Sequence, residues 1–385
     1  MRATSPIRLE KNPIMRRHDP VWFACAIAAL VSFSVVAASA SPLTPERVAF
    51  PRAQRAVVNC DALTPSAVVT TTFRIYQQKC YYAATPFLIT DTRSDSGDQV
   101  YSNKESYEMR SMTVYRAQAN GAWRSNQPVI YFVHGGAWVD GYAEWYAPAA
   151  NSFTGEMGWV TVVLDYRLTS DQVFIADAAC ATRAACTKDP AKKAAWYPDD
   201  IADVASGYQW VLAHIADWGG NPARVFLFGH SAGGHLVSLL LTHPNYATLR
   251  PTMRGVISMS GVYLIAYAPT QLFFASEVSQ TWQGTNPIEM NDASPINHIG
   301  AGMTLPALYL LRAETELPTL DTQTELFRTK LTQSNLPYRY DVLSGYDHTS
   351  EMLAIQDSHA TPTQLIVNFI QSLSGYPIHL PLVVR

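Results

Sequence analysis

Val225-Phe226-Leu227-Phe228-Gly229-His230-Ser231-Ala232-Gly233-Gly234-His235-Leu236-Val237-Ser238-Leu239-Leu240-Leu241 runs from an apolar stretch, through a glycine-flanked serine, into a helical pattern. A strand, a sharp turn and a helix in that order strain the backbone of the residue at the turn, which small neighbours permit. They also lift its side chain above the end of a sheet, at the positive end of a helix. Gly229-His230-Ser231-Ala232-Gly233 therefore presents Ser231 as a candidate nucleophile. Without its flanks the pentapeptide would be an ordinary tight turn.

The same alternation extends in both directions from the turn. Tyr107–Tyr115, Val129–Val133, Val160–Leu164, Val256–Met259, Ala307–Leu311 and Tyr338–Leu343 read as further strands. Asp200–Ile215, Gly234–Thr242, Leu320–Gln333 and Pro362–Leu373 read as helices. Apolar strands without clean alternation, separated by helices, imply a mostly parallel central sheet with helices on both faces, an α/β class. Residues 99–385 are expected to form this one large domain. Thr169–Trp196 and Tyr263–Gly302 interrupt the series. Inserts at the carboxyl edge of such a sheet shape the ligand pocket, so both are candidate lid-type insertions. Residues 41–98 hold Pro42, Pro45, Pro51, Pro65 and Pro86 around short β-prone pieces such as Val68–Phe73. They are expected to pack on the main domain as an N-terminal extension.

A chain of 385 residues with 48% hydrophobic and 15% charged residues can fill a large core and is not a disordered polymer. The net charge is -3, and the first 40 residues hold five Lys/Arg against two Asp/Glu, so the remainder is more acidic still. Such a surface does not seek phosphate, and nucleic acid is not an expected partner. Arg2, Arg8, Lys11, Arg16 and Arg17 precede an uncharged apolar stretch, Val21–Ala38, which closes on Ala38-Ser39-Ala40. These are the parts of a secretory signal peptide over residues 1–40, cleaved after Ala40, and they predict a secreted, periplasmic or extracellular protein. The alternative is an uncleaved anchor over residues 21–40, since the run approaches the length of a membrane span.

Loss of Cys25 with the leader leaves Cys60, Cys80, Cys180 and Cys186. An even count suits an oxidising compartment, and proximity pairs Cys60 with Cys80 and Cys180 with Cys186. Neither Cys-x-x-Cys nor His-Glu-x-x-His occurs, so neither a metal nor a cofactor is expected.

A serine hydroxyl is a poor nucleophile at neutral pH. It needs a base within hydrogen-bond reach, and that base needs an orienting acid. On a sheet of this kind acid and base follow the serine in that order. His348, in Gly345-Tyr346-Asp347-His348-Thr349 after the last strong strand, is the candidate base. His235 falls within a helix, His243 and His298 precede the expected acid, and His359 and His379 lie beyond the loop. The acid belongs in the turn after Ala307–Leu311, where Glu314 and Glu316 both qualify and Asp321 follows. Asp347 adjoins His348, but adjacent loop side chains generally diverge. Position alone leaves the acid open.

Attack on a carbonyl puts negative charge on oxygen, which preorganised N–H donors must meet. His134-Gly135-Gly136-Ala137-Trp138, directly after a strand, supplies them, because its glycines let the main chain approach closely. The amides of Gly136 and Ala137 are the candidates, joined by that of Ala232 after the nucleophile. Trp138, Tyr142, Trp145 and Tyr146 follow, as core or as the lining of a pocket.

Taken in order, His134-Gly135-Gly136-Ala137-Trp138, Asp165-Tyr166-Arg167-Leu168, Tyr197-Pro198-Asp199-Asp200 and Gly229-His230-Ser231-Ala232-Gly233-Gly234-His235 resemble the α/β-hydrolase superfamily. More narrowly they are similar to the hormone-sensitive-lipase-like carboxylesterases, in the branch with kynurenine formamidases and feruloyl or acetyl esterases. The resemblance covers about residues 107–373. It implies an acid two residues before a proline with a later Gln-Thr, which matches Glu316-Leu317-Pro318 and Gln323-Thr324 and selects Glu316. Aspartate is usual there, so glutamate is a departure. The resemblance also implies that Asp165 and Arg167 brace the oxyanion loop.

The expectation is a secreted serine carboxylesterase working through an acyl-enzyme on a small-molecule or polymer-linked ester. Ser231 would attack, His348 take the proton, Glu316 hold the imidazole, and the amides of Gly136, Ala137 and Ala232 receive the oxyanion. An arylformamidase is the nearest alternative, set back by the leader because tryptophan breakdown is an intracellular task. A non-catalytic binding module on the same fold is the other, set back by the presence of both serine and histidine.

Overall fold

The computed structural model describes residues 59–68, 72–82, 87–90, 107–169, 172–174, 196–282 and 286–374. The expected leader, Cys180, Cys186 and most of the insert at 169–196 lie outside the described residues.

The central sheet is built from β1 (Arg74–Tyr81), β2 (Ser111–Ala119), β3 (Gln127–Val133), β4 (Val160–Leu164), β5 (Gly220–His230), β6 (Gly255–Met259), β7 (Ala307–Thr315) and β8 (Arg339–Asp347). Their spatial order is β1-β2-β4-β3-β5-β6-β7-β8, with shorter strands attached at the β1 side. β1 with β2 and β2 with β4 are antiparallel, whereas every neighbouring pair from β4 to β8 is parallel. The mostly parallel sheet expected from the sequence is what the structure shows.

The inner parallel strands β3, β4 and β6 and the second half of β5 are buried because both faces are covered, whereas β8 at the edge is mostly exposed; the residues still divide by period two. Val129, Tyr131 and Val133 of β3 and Val225 and Leu227 of β5 enter one core, which is filled from α1 (Asp199–His214), α2 (Ala232–Thr242) and α3 (Leu320–Gln333). Ile130, Phe132, Phe226 and Phe228 enter the other, closed by Ile366, Phe369 and Ile370 of α5 (Thr361–Ser374) and by Phe153 of the π-helical segment Asn151–Glu156. Burying one such Phe contributes roughly 1.5–3 kcal/mol, so the two cores together hold the parallel strands in register. In this arrangement the carboxyl ends of β5, β6, β7 and β8 stand side by side.

Two features depart from the sequence reading. Tyr107–Tyr115 is not one strand: Arg110, at φ 62, separates Tyr107–Met109 from β2. Tyr107–Met109 pairs instead with Phe87–Thr90 in a second sheet that also holds Gln172–Phe174. The second feature is β1, from the stretch expected to be an extension, which pairs with β2 along its whole length. Cys60 and Cys80 are direct cross-strand partners there, with their sulfurs at bonding distance.

Candidate active site

β5 delivers Ser231 at φ 56 and ψ −121, a left-handed backbone that a side chain rarely adopts. The conformation is held on both sides: the Ser231 N–H donates to the Met259 carbonyl at 2.9 Å, and the Ser231 carbonyl accepts from the His235 N–H at 3.0 Å. α2 starts at Ala232, whose N–H has no intrahelical acceptor by position and lies at the positive end of the helix.

β7 and β8 deliver the other two candidates. Their parallel ladder shifts register between Ala313 and Thr315, so that Thr315 pairs with Asp347. The next residue on each strand is Glu316 and His348. His348 Nδ1 stands 2.9 Å from Glu316 Oε2, and the glutamate side chain is only 2% exposed. Glu316 Oε1 accepts from the Ala313 N–H at 3.0 Å and from the Ser260 hydroxyl. Both carboxylate oxygens are thus occupied, and the imidazole is oriented with Nδ1–H toward the acid and Nε2 away from it.

The other acids are engaged elsewhere. Glu314 is exposed and accepts from the Gly345 N–H at 2.7 Å. Asp347 caps the N–H groups of Thr349 and Ser350, and Asp321 accepts from that of Thr322.

His230 joins the serine turn to the loop of His348. Its Nε2 lies 2.9 Å from the His348 carbonyl, and the two rings are 4.8 Å apart. Because a carbonyl only accepts, His230 carries its proton on Nε2, and burial pushes its pKa down to about 4, keeping it neutral. Neither His230 nor Ser260 was singled out for a role from the sequence. Ser260, at φ 48 directly after β6, follows the same strand-then-turn pattern as Ser231 and was the available signal.

The loop after β3 lies against the serine: a Cβ at Gly135 would fall 3.0 Å from that of Ser231. Gly136, at φ 121, has no room for a side chain, since a Cβ there would sit 2.0 Å from the Asp140 carbonyl oxygen. The Gly136 carbonyl accepts from the N–H groups of Val139 and Asp140. The amides of Gly136 and Ala137 donate to no acceptor among the described residues. Free N–H donors beside a serine hydroxyl are what a developing oxyanion requires.

His134, stacked on Tyr166 at 4.4 Å, is buried and pushed down to about 4 by desolvation. Asp165 reaches just past this loop, accepting the Ala143 N–H at 2.7 Å. Arg167, expected to brace the loop as well, forks onto Asp203 of α1 at 2.7 and 2.9 Å. Trp138 donates to His235 Nδ1 at 3.0 Å, and His235 Nε2 lies 2.7 Å from the Ala293 carbonyl, which ties the loop to the insert at 263–302. Trp138 and Tyr142 are core. Trp145 and Tyr146 line a cavity of about 310 Å³ with His230, Thr349, Met352 and Leu353.

His243, Asp292 and His298 also converge, but their hydrogen bonds do not suit a metal. His243 Nδ1 accepts the Asn245 N–H at 3.1 Å, so Nε2 holds the proton and donates it to Asp292 at 3.1 Å. The nitrogen facing the cluster is a donor.

The carboxylesterase family model matches residues 200–328. The chain is 28% identical over 240 residues to a probable carboxylic ester hydrolase, LipM, of Mycobacterium tuberculosis, covering 59% of this chain and 50% of that one. It is 36% identical over 142 residues to the human cocaine esterase, covering 37% and 22%. The chain thus spans about half the length, or less, of these curated relatives. Among solved structures, a thermophilic esterase of Thermogutta terrifontis superposes with a TM-score of 0.53 at 19% identity, over 70% of this chain and 89% of that one. An esterase of Pyrobaculum calidifontis gives 0.51 at 18%, over 69% and 81%.

Proposed function

We propose that this chain, a carboxylesterase-like protein of the α/β-hydrolase fold, hydrolyses carboxylic esters of small molecules through a serine nucleophile. One observation carries the reading: the buried Glu316–His348 pair is tied, through His230, to the strained turn that presents Ser231. In this mechanism His348 Nε2 takes the Ser231 proton as Oγ attacks the ester carbonyl. Glu316 stabilises the imidazolium, and the amides of Gly136, Ala137 and Ala232 receive the charge on oxygen. His348 then returns the proton to the departing alkoxide, leaving an acyl-enzyme. A water activated by the same histidine releases the acid and restores Ser231.

The test is turnover of a panel of short acyl p-nitrophenyl esters, with labelling of the protein by an organophosphonate that is lost in Ser231→Ala. Protein that neither turns over esters nor takes the label would end the reading.

The choice of acid is tested separately. Glu316→Gln is expected to lower kcat by about 10³- to 10⁴-fold, because an amide no longer stabilises the imidazolium. Glu314→Gln, at an exposed side chain bonded to Gly345, is expected to change kcat little. The reverse result would move the acid to Glu314.

The protein is also proposed to work outside the cytosol. The basic, apolar and Ala-x-Ala parts of residues 1–40 support this. So does the even count of cysteines after residue 40, with Cys60 and Cys80 as cross-strand partners.

A further inference from the structure

A second carboxyl group stands behind the candidate triad and takes no part in the mechanism above. Glu351 lies in α4 (Ser350–Leu353), directly after the loop of His348, and its side chain is fully buried. Neither of its oxygens has a hydrogen-bond partner among the described residues. Its Oε1 is 3.4 Å from His230 Nε2, the atom whose proton goes to the His348 carbonyl 2.9 Å away. One N–H therefore faces two acceptors: the backbone of the catalytic base and the carboxyl of Glu351.

We propose that Glu351 is a positioning residue: protonated, it leaves the His230 N–H to the His348 carbonyl and so holds the base in place, and ionised, it draws that N–H away and releases the loop. A carboxylate is a much stronger acceptor than a neutral carbonyl, whereas a carboxylic acid is not, so the charge of Glu351 sets which contact wins.

The groups around Glu351 keep it protonated at neutral pH. Glu316, from the end of β7, and Asp347, from the end of β8, both oppose a further negative charge. His348 favours the charge, as does the hydroxyl of Ser260 after β6, though that hydroxyl is committed to Glu316. His230, from β5, is neutral. Burial outweighs the favourable contacts and pushes Glu351 up to about 8 from an ordinary 4.5. Glu351 is thus neutral below that pH and charged above it.

This role rests on the reading of Ser231 and His348 given above, and the experiment separates the two. The pH dependence of kcat and KM is measured on a short acyl aryl ester for the full chain and for Glu351→Gln, whose amide cannot ionise. The parent is expected to lose kcat through an ionisation near pH 8. By pH 9 about a tenth of its pH 7 value should remain, with KM little changed, as an acid one unit past its midpoint is roughly nine-tenths ionised. Glu351→Gln is expected to keep its kcat over the same interval. Superposable profiles overturn the proposal. Should Glu351→Gln not fold, Glu351→Asp keeps an ionisable acid on a shorter stem and must move the midpoint; an unmoved midpoint overturns the proposal equally. A chain with no ester turnover at any pH fails the reading of the site, whereas an active enzyme with indifferent profiles fails only the role of Glu351.

Discussion

Replacing Ser231 by alanine is expected to lower kcat on a short acyl aryl ester by about 10⁶-fold while leaving KM nearly unchanged. The hydroxyl contributes little to holding the ester, but no other group at the turn can form the acyl bond. Turnover left in the variant comes from the free amides of Gly136 and Ala137, which polarise the carbonyl toward water. His348→Ala is expected to fall nearly as far. The double variant should be no slower than either single one, since proton removal and attack belong to one event. The three kcat values, with each protein quantified by absorbance, check this. Additive losses in the double variant would mean that His348 acts on something other than Ser231.

The second large effect concerns stability. Gly233 has no space on its α-carbon: an added Cβ would lie 2.0 Å from the Val133 carbonyl oxygen and 2.6 Å from that of His134. Both atoms belong to backbone, where β3 passes into the oxyanion loop, so neither can rotate aside. Gly233→Ala must push α2 away from β3. We expect a loss of about 3 kcal/mol of stability, at the upper end of ordinary overpacking, together with a kcat reduced at least tenfold because the serine and the oxyanion donors separate. Urea unfolding with unchanged slope and an earlier midpoint, read beside kcat, checks both parts. A variant as stable and as active as the parent would show that the turn tolerates a wider approach than the backbone contacts imply.

The inner strands of the parallel half were readable because each carries a short apolar run between turn residues, and burial on both faces demands that composition. Val160–Leu164 and Leu320–Gln333 have the same limits in the sequence and in the structure. β1 was not readable. Arg74-Ile75-Tyr76-Gln77-Gln78-Lys79-Cys80-Tyr81 is mostly polar, and only Ile75 and Cys80 are buried, so its pairing with β2 replaces the apolar signal that a strand usually shows.

At the site, the serine and the histidine stood out by their places after strands. The two glutamates did not. Glu314 and Glu316 have equal claims by position, and what separates them is the end of β7 at Thr315: Glu314 stays in the exposed ladder, while Glu316 lies beyond it and is buried against Ser260 and Ala313. The partner of Arg167 was not legible for a related reason. That partner, Asp203, is on a helix, and nothing in the local sequence ties that aspartate to the loop.

The pairing of Thr315 with Asp347 places the proposed acid and base, Glu316 and His348, one step past neighbouring rungs of a single ladder. Their spacing is therefore a property of the scaffold. Deleting one residue between Leu343 and His348 is expected to shift the histidine out of step with Glu316 and break their contact, although the deleted position touches neither side chain.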